Sequence, residues 1–333
     1  MISLDALRAE LHDWCETLRA EEQGEVGFRM GTSGAVNLLS TTDIAWIRYA
    51  TCDLEDLDAT RREKWARWIQ NQQQKDDGRY QYTEAVGEGN MHSNGHAFWH
   101  ANRALGILGA EIKVFPEYLR NAITVSGLGK WFKEWESQAN RTHHDILGLI
   151  PILANTDDTD WVELFYQQLA QQQDPETGTW PRGTEANISR TFAYSAIFRA
   201  TGRVPPQAEK IVAAMLRLQS EDGFWRERNH SFFSTMDAIY LLVRLPRLLG
   251  YKEQEAMAAL ERIKSPMVAL YRGKDESLMS NTHSMLAVVH SLGLLSEAFP
   301  GDFSSSSPWR FDWDKPELFR CKLLRQRLKR TTA

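Results

Sequence analysis

Polar side chains able to bind a ligand or move a proton occur in six clusters, each at the start of a long apolar run. Carboxylates and imidazoles dominate these clusters, and both groups commonly act as general acids and bases. The candidate catalytic residues are Asp43, His144, Asp145, Asp237 and His283. The candidate substrate-binding residues are Asn94, His96, Trp99, Arg190, Tyr194, Tyr240 and Asn281.

A metal site is the other use that the histidines suggest. His92, His96 and His100 are spaced by four residues and would share one face of a continuous helix. However, we expect that helix to begin near Asn94, which leaves His92 outside it. The chain also contains no His-Glu-x-x-His motif. The sequence therefore predicts neither a metal nor any other cofactor.

The six apolar runs recur at nearly constant spacing, about 46 to 53 residues apart, and such a period is typical of a repeat architecture. Each run is apolar nearly all round, which predicts a buried helix. Aligned on the last polar residue before each run, the matching positions are Asp43, His96, Asp145, Thr191, Asp237 and His283. The predicted helices begin near Ser40, Asn94, His143, Ser189, Ser234 and Asn281.

Amphipathic, charged stretches separate the buried runs and predict exposed helices over residues 4–21, 59–74, 116–138, 161–173, 206–219 and 253–264. No stretch of useful length alternates as a strand does. Six pairs of one exposed and one buried helix predict an all-α fold, an (α/α)6 toroid of six helical hairpins. Parallel buried helices would gather the polar clusters at one rim, around a central funnel for a small-molecule substrate.

Length alone suggests two domains, but a closed ring built from repeats can exceed the size of one ordinary core. We therefore expect one toroid domain over residues 1–333, with a C-terminal extension over 300–333 that carries a basic surface helix. A net charge of −5 argues against nucleic acid as a partner. No apolar run is long enough for a transmembrane helix, and the N-terminus lacks the features of a signal peptide. The three cysteines are far apart and fit a reducing compartment. We therefore expect a cytoplasmic protein, with no prediction of its oligomeric state.

Residues 219–225 read QSEDGFW, a QxxxGxW motif, and residues 74–80 and 173–180 are variants of it. The motif resembles the repeat of the terpenoid cyclase and protein prenyltransferase superfamily, and the helical pattern extends the likeness over about residues 40–295. The resemblance implies an α/α toroid in which the motif is structural. Where class II cyclases carry Asp-x-Asp-Asp, this chain reads Ser234-Thr-Met-Asp237. Its cysteines lie outside the clusters, which argues against the zinc site of the prenyltransferases.

A second acidic stretch, residues 155–160, reads NTDDTD and follows a buried run. Aspartate and threonine are favoured helix N-caps, so we expect Asp158 or Thr159 to cap the next helix.

Three functions remain open. The first is an enzyme similar to the terpenoid cyclases and prenyltransferases that acts by acid–base chemistry on a small molecule in the central funnel. The second is a carbohydrate-active (α/α)6 hydrolase or lyase, and the third is a non-catalytic binding or scaffold protein. In the enzyme, we expect His144 to be the general base and Asp237 the general acid. The alternative for Asp237 is a helix N-cap.

Overall fold

The computed structural model describes residues 1–80, 94–137, 143–183, 185–226, 231–311 and 313–331, and most of these residues are helical. This confirms the predicted helical class. The chain forms two compact units built from interleaved segments. Unit 1 comprises Met1–Glu16, Ile47–Leu54 and Ala170–Asp314, and unit 2 comprises Thr17–Trp46, Glu55–Leu169 and Lys315–Ala333.

The helices in chain order are α1 (Leu4–Leu18), α2 (Leu38–Ala50), α3 (Ala59–Asn71), α4 (Asn94–Ile107), α5 (Val125–Ser137), α6 (His143–Leu147), α7 (Ile150–Leu153), α8 (Thr159–Gln171), α9 (Ile188–Ala200), α10 (Ala208–Leu218), α11 (Ser231–Leu249), α12 (Glu253–Arg272), α13 (Glu276–Met279), α14 (Thr282–Ala298) and α15 (Lys322–Thr331). Among the described residues, no helix combines the length and apolar composition that a membrane crossing requires.

The six buried helices begin close to the predicted positions. They are α2, α4, α6, α9, α11 and α14, and most residues of α4 and α14 are buried. Amphipathic helices alternate with them along the chain, namely α1, α3, α5, α8, α10 and α12. Each of these buries one side only, as in α10, where Ile211, Val212 and Met215 are among the buried residues.

The third buried run is broken into α6 and α7, where the sequence predicted one continuous helix. Gly148 follows α6, and its Cα region lies directly against Gly95 of α4. A Cβ added at Gly148 would be 2.7 Å from the Gly95 Cα. Pro151 occupies the first turn of α7. Backbone N–H groups in a first turn have no acceptor within the helix, so a proline is tolerated there. The break thus follows from a close glycine contact and a proline.

We expect Gly148→Ala to lower the free energy of unfolding by about 1–3 kcal/mol, because the added methyl group overpacks the contact with α4. Urea denaturation would measure the loss. Gly129→Ala is a matched control, since Gly129 lies within α5 and a Cβ there meets no other atom within 4 Å. That control should be neutral or stabilising. Equal stability of Gly148→Ala and the wild type would contradict the close contact.

The chain contains short strands that the sequence did not predict. β1 (Ile2–Ser3) pairs in parallel with β4 (Phe303–Ser304), and β2 (Arg19–Glu22) pairs antiparallel with β3 (Glu25–Phe28). Gln23 and Gly24 join β2 to β3 with φ angles of 54° and 79°. Positive φ at both central residues is characteristic of a type I′ hairpin turn.

The glutamine of the QxxxGxW motif has a repeated structural role. The Gln219 Nε2 donates hydrogen bonds to the carbonyl oxygens of Gly223, at 2.9 Å, and Ala259, at 2.8 Å. The Gln173 Nε2 donates to those of Gly178, at 2.7 Å, and Pro206, at 2.6 Å. In both repeats the amide therefore joins the glycine turn to a later segment of the chain.

In the first repeat this role belongs to Gln73, so the predicted assignment to Gln74 is wrong. The Gln73 Nε2 donates to Gly78 O at 2.9 Å and Val114 O at 2.7 Å. The spacing from glutamine to glycine in this repeat then equals that from Gln173 to Gly178. The sequence was ambiguous because residues 72–74 are all glutamine.

A threonine in three buried helices holds the backbone of an aromatic residue. The Oγ1 atoms of Thr41, Thr191 and Thr235 accept hydrogen bonds from the backbone N–H groups of an aromatic residue 10 to 13 positions earlier. The pairs are Thr41 with Phe28, Thr191 with Trp180 and Thr235 with Trp225. Thr191 therefore corresponds to Thr235, and its predicted alignment with Asp237 is wrong by two residues.

Unit 2 includes the basic helix α15, and Asn155 holds the segment that precedes it. Asn155 donates from Nδ2 to Phe319 O at 2.8 Å, and its Oδ1 accepts from the backbone N–H of Cys321 at 2.8 Å. The helix that follows, α15, buries Leu324 and Leu328 and exposes several basic side chains. Nearby, the Asp158 Oδ1 accepts from the backbone N–H of Trp161 at 3.0 Å, which confirms that Asp158 caps α8.

Candidate functional site

Three helices of unit 2 carry four of the polar candidates, together with His100. We call Asp43 of α2, His96 and His100 of α4, and His144 and Asp145 of α6 the histidine–aspartate cluster. A Cβ at Gly95 would lie 2.7 Å from His144 O and 2.9 Å from the Asp145 Cα. The absence of a side chain at residue 95 therefore lets α6 approach α4 at the position next to His96.

Two imidazoles form the buried centre of the cluster. His96 and His100 lie one turn apart on α4, and only 3% and 1% of their surfaces are exposed. Their Nε2 atoms are 3.0 Å apart. At this distance one Nε2–H donates a hydrogen bond to the other Nε2 when both rings are neutral.

The opposite side of the His100 ring faces α2. The His100 Nδ1 lies 3.4 Å from the Thr42 Oγ1 and 3.9 Å from the Asp43 Oδ1. Because the Thr42 hydroxyl donates to Leu39 O at 2.9 Å, its oxygen is available to accept from His100. Both neighbours thus favour a proton on Nδ1 of His100 and leave the lone pair of its Nε2 directed at His96.

His144 and Asp145 lie at the more accessible side of the cluster. Both side chains are half-buried, and the His144 ring centroid is 4.3 Å from that of His96. The Asp145 Oδ2 accepts a hydrogen bond from the Trp135 Nε1 at 3.2 Å. A molecule from solvent would therefore meet His144 and Asp145 before the buried pair.

Tyr118 adds a neutral phenol next to these residues. Its OH donates to Asn94 O at 3.1 Å. Burial raises the pKa of the Tyr118 phenol far above its usual value, and the negative charges of Asp145 and Asp77 raise it further against the opposing charge of Arg79. The phenol therefore remains protonated, and a hydrogen-bond donor, at any pH near neutrality.

Beneath the cluster lie two indoles and a buried cation. The Trp46 ring stacks on His100 at 4.4 Å and contacts the edge of Trp99 at 4.9 Å. The Arg103 guanidinium lies over both indoles, 4.1 Å from the Trp46 centroid and 5.6 Å from that of Trp99. Trp99, predicted to bind substrate, is thus part of the packed core, and a contact with a ligand stays a prediction.

Asp237 is buried in unit 1 and is not a helix N-cap. It lies well inside α11, which begins at Ser231, so the N-cap alternative is wrong. Tyr240, one turn later, is fully buried and packs against Phe192 at 5.0 Å and Phe311 at 4.9 Å.

Three other candidates of unit 1, Asn281, His283 and Arg190, lie at or near helix starts, whereas Tyr194 lies in the middle of α9. Asn281 is the N-cap of α14, since its Oδ1 accepts from the backbone N–H of Ser284 at 3.0 Å. The ring of His283 lies 4.3 Å from that of Phe233. Arg190 is half-buried in the first turn of α9, and Tyr194 is buried 5.6 Å from Trp180. Catalytic or binding roles for these residues stay predictions, and His92 lies outside the described residues.

The structure assigns further residues to the site that the sequence did not single out. Thr42 orients His100, Trp135 fixes Asp145, and Tyr118 holds the start of α4 through its hydrogen bond to Asn94 O. His100 had a signal in the sequence, its spacing of four residues from His96. Trp135 and Tyr118 carry no such signal, because they approach the cluster from segments outside the repeated polar positions.

Two comparisons with known proteins give no match: no family model fits the chain, and no curated protein is significantly similar to it. The resemblance to the terpenoid cyclase and prenyltransferase superfamily therefore rests on the motif and the helix pattern alone.

Proposed function

We propose that this protein is an enzyme that acts on a small polar molecule by acid–base chemistry, with His144 as the general base. One observation carries the proposal. His144 is half-buried at the accessible side of a cluster whose other imidazoles, His96 and His100, are almost fully enclosed. An imidazole changes charge near neutral pH and can take a proton from a bound substrate.

The surroundings of His144 favour a polar substrate over an isoprenoid. Asp145 offers a carboxylate held by Trp135, and the Tyr118 phenol, whose proton is donated to Asn94 O, offers an oxygen that can accept a hydrogen bond. A carbocation would be stabilised by aromatic faces. The Arg103 guanidinium, however, already occupies a face of Trp46, which opposes a second positive charge there.

One further residue, Trp131, favours a carbohydrate among the polar substrates. Trp131 is half-buried, and its ring is nearly parallel to that of Trp135, with 6° between the planes and 6.2 Å between the centroids. Trp135 donates to the Asp145 carboxylate, so Trp131 is connected to the site through one intervening indole. A half-buried, flat indole in that position suits the stacking of a sugar ring. We therefore favour the carbohydrate hydrolase or lyase among the three functions.

The wider architecture that we propose is the (α/α)6 toroid, one domain with the substrate in a central funnel. The alternation of buried and amphipathic helices supports it, as do the repeated glutamine and threonine contacts. We also propose a cytoplasmic location, because the three cysteines are far apart in the sequence and fit a reducing compartment.

The test of function is a substrate panel of neutral and acidic oligosaccharides and isoprenoid diphosphates, incubated with the full-length protein. New reducing ends report cleavage, and the ultraviolet absorbance of a new conjugated double bond separates elimination from hydrolysis. We expect turnover of an oligosaccharide. His144→Gln should lower that turnover by roughly 10²–10⁴-fold, because glutamine keeps a polar side chain but cannot accept the proton.

His143→Gln is the matched control, since His143 is the preceding residue and is also half-buried. It should keep nearly all activity, and both variants should keep the melting temperature of the wild type. Turnover of isoprenoid diphosphates alone would overturn the substrate class. Undiminished turnover by His144→Gln would overturn the role of His144, and ligand binding without any turnover would favour a scaffold instead of an enzyme.

A further inference from the structure

We propose that His96 and His100 bind a divalent transition-metal ion, with Zn²⁺ the best fit. The two residues lie at positions i and i+4 of α4, so both rings project from one face of the helix. Their Nε2 atoms converge to 3.0 Å inside the protein. This site goes beyond the acid–base function proposed for His144 and does not depend on it.

The distance between the two nitrogens is close to what a shared ion requires. Zinc binds histidine nitrogen at about 2.0–2.1 Å in tetrahedral geometry, which places two ligand nitrogens roughly 3.3 Å apart. The observed separation of 3.0 Å needs an opening of only a few tenths of an ångström. Small rotations of the two rings supply that change without moving α4.

The residues behind His100 prepare it to be a ligand. Its Nδ1 faces the Thr42 Oγ1 at 3.4 Å and the Asp43 Oδ1 at 3.9 Å, and both oxygens favour a proton on that nitrogen. The Nε2 then carries the lone pair that a metal needs. A carboxylate behind a ligating histidine is the common arrangement in metal sites, where it orients the ring and raises its basicity.

Burial of Asp43 strengthens the electrostatic effect of its carboxylate on a bound cation. Asp43 is fully buried, so its negative charge is poorly screened by solvent and helps to balance an added cation. The two imidazoles fill only part of a four-coordinate shell. The remaining positions would be open to other ligands, including water, and a shell completed by water is typical of catalytic zinc rather than structural zinc.

A hydrogen bond between two neutral imidazoles would also bring the Nε2 atoms of His96 and His100 together. A direct measurement of metal binding distinguishes the two arrangements. Full-length protein stripped with a chelator and dialysed would be titrated with Zn²⁺ by calorimetry, and with Co²⁺ by visible absorbance. We expect one ion per chain. His96→Ala and His100→Ala should each weaken Zn²⁺ binding by more than 100-fold, and Asp43→Asn should weaken it by roughly 10–100-fold.

His143→Ala is the control, since His143 lies close by but outside the pair, and its affinity for Zn²⁺ should equal that of the wild type. Affinity of the wild type should also fall as the pH is lowered, because protons compete for the imidazoles. Circular dichroism of the metal-free variants would show whether they are folded.

A measurement on the wild type alone guards against variants that do not fold. With ¹⁵N-labelled histidine, Zn²⁺ should shift the Nε2 resonances of two rings and leave their Nδ1 atoms protonated. Absence of stoichiometric binding, or binding that both alanine variants retain, would overturn the proposal. All of these measurements of metal binding are made without substrate. A negative result would therefore overturn the metal site without bearing on the proposed enzymatic function.

Discussion

Trp225→Ala is expected to lower the free energy of unfolding by about 3–5 kcal/mol, the range for removing a large aromatic ring from a core. The Trp225 ring is completely buried, and its Nε1 donates to Met215 O at 2.8 Å. The backbone of Trp225 also exchanges two hydrogen bonds with the Thr235 Oγ1, which ties the motif to α11. Alanine would leave a cavity and an unsatisfied carbonyl. Urea denaturation followed by circular dichroism would measure the loss.

Phe224→Ala is the matched control within the same motif. Phe224 precedes Trp225 but is only half-buried, so its removal should cost clearly less. A Trp225→Ala protein as stable as Phe224→Ala would contradict the structural role of the motif. The same result would weaken the resemblance on which the toroid rests, since that resemblance implies a structural motif.

The sequence predicted the helices well because their buried runs are long and apolar on all sides. It located the start of α4 at Asn94 and of α6 at His143. It failed where the deciding feature is a contact between distant residues. The split after α6 depends on the approach of Gly148 to Gly95, and the choice of Gln73 over its neighbours depends on where Val114 lies.

The sequence predicted which residue types form the site, but it did not predict which of these side chains contact one another. The spacing of four residues predicted that His96 and His100 share one helix face. It did not predict that their Nε2 atoms lie 3.0 Å apart. The pairing of Trp135 with Asp145 joins α5 to α6 and follows no repeat in the sequence. For Asp237, the N-cap alternative failed because α11 begins earlier than predicted, at Ser231.

Arg48→Met should also lower the free energy of unfolding by about 3–5 kcal/mol, since it removes one partner of a buried ionic network. Arg48 is 1% exposed, and its Nη1 donates to the Glu16 Oε1 at 2.8 Å while its Nε lies 2.9 Å from the Asp53 Oδ2. Its Nη2 also lies 3.2 Å from the His12 Nδ1. Methionine fills a similar volume, so the loss would come mainly from the buried carboxylate of Asp53, which keeps only the His12 Nδ1, 3.0 Å from its Oδ1, after the guanidinium is removed.

A double-mutant cycle separates this electrostatic loss from lost packing. Asp53→Asn alone should destabilise the protein, and adding it to Arg48→Met should cost less than the sum of the two single changes, because the uncompensated charge is then gone. Arg226→Met is the control at an exposed pair, where the ion pair with Asp222 should contribute about 0–1 kcal/mol. If Arg48→Met were no more destabilising than Arg226→Met, the buried network would not be a source of stability for unit 1. If the losses in free energy of unfolding from the two changes were strictly additive, the charge of Asp53 would not be coupled to Arg48. The loss from Arg48→Met would then be due to packing.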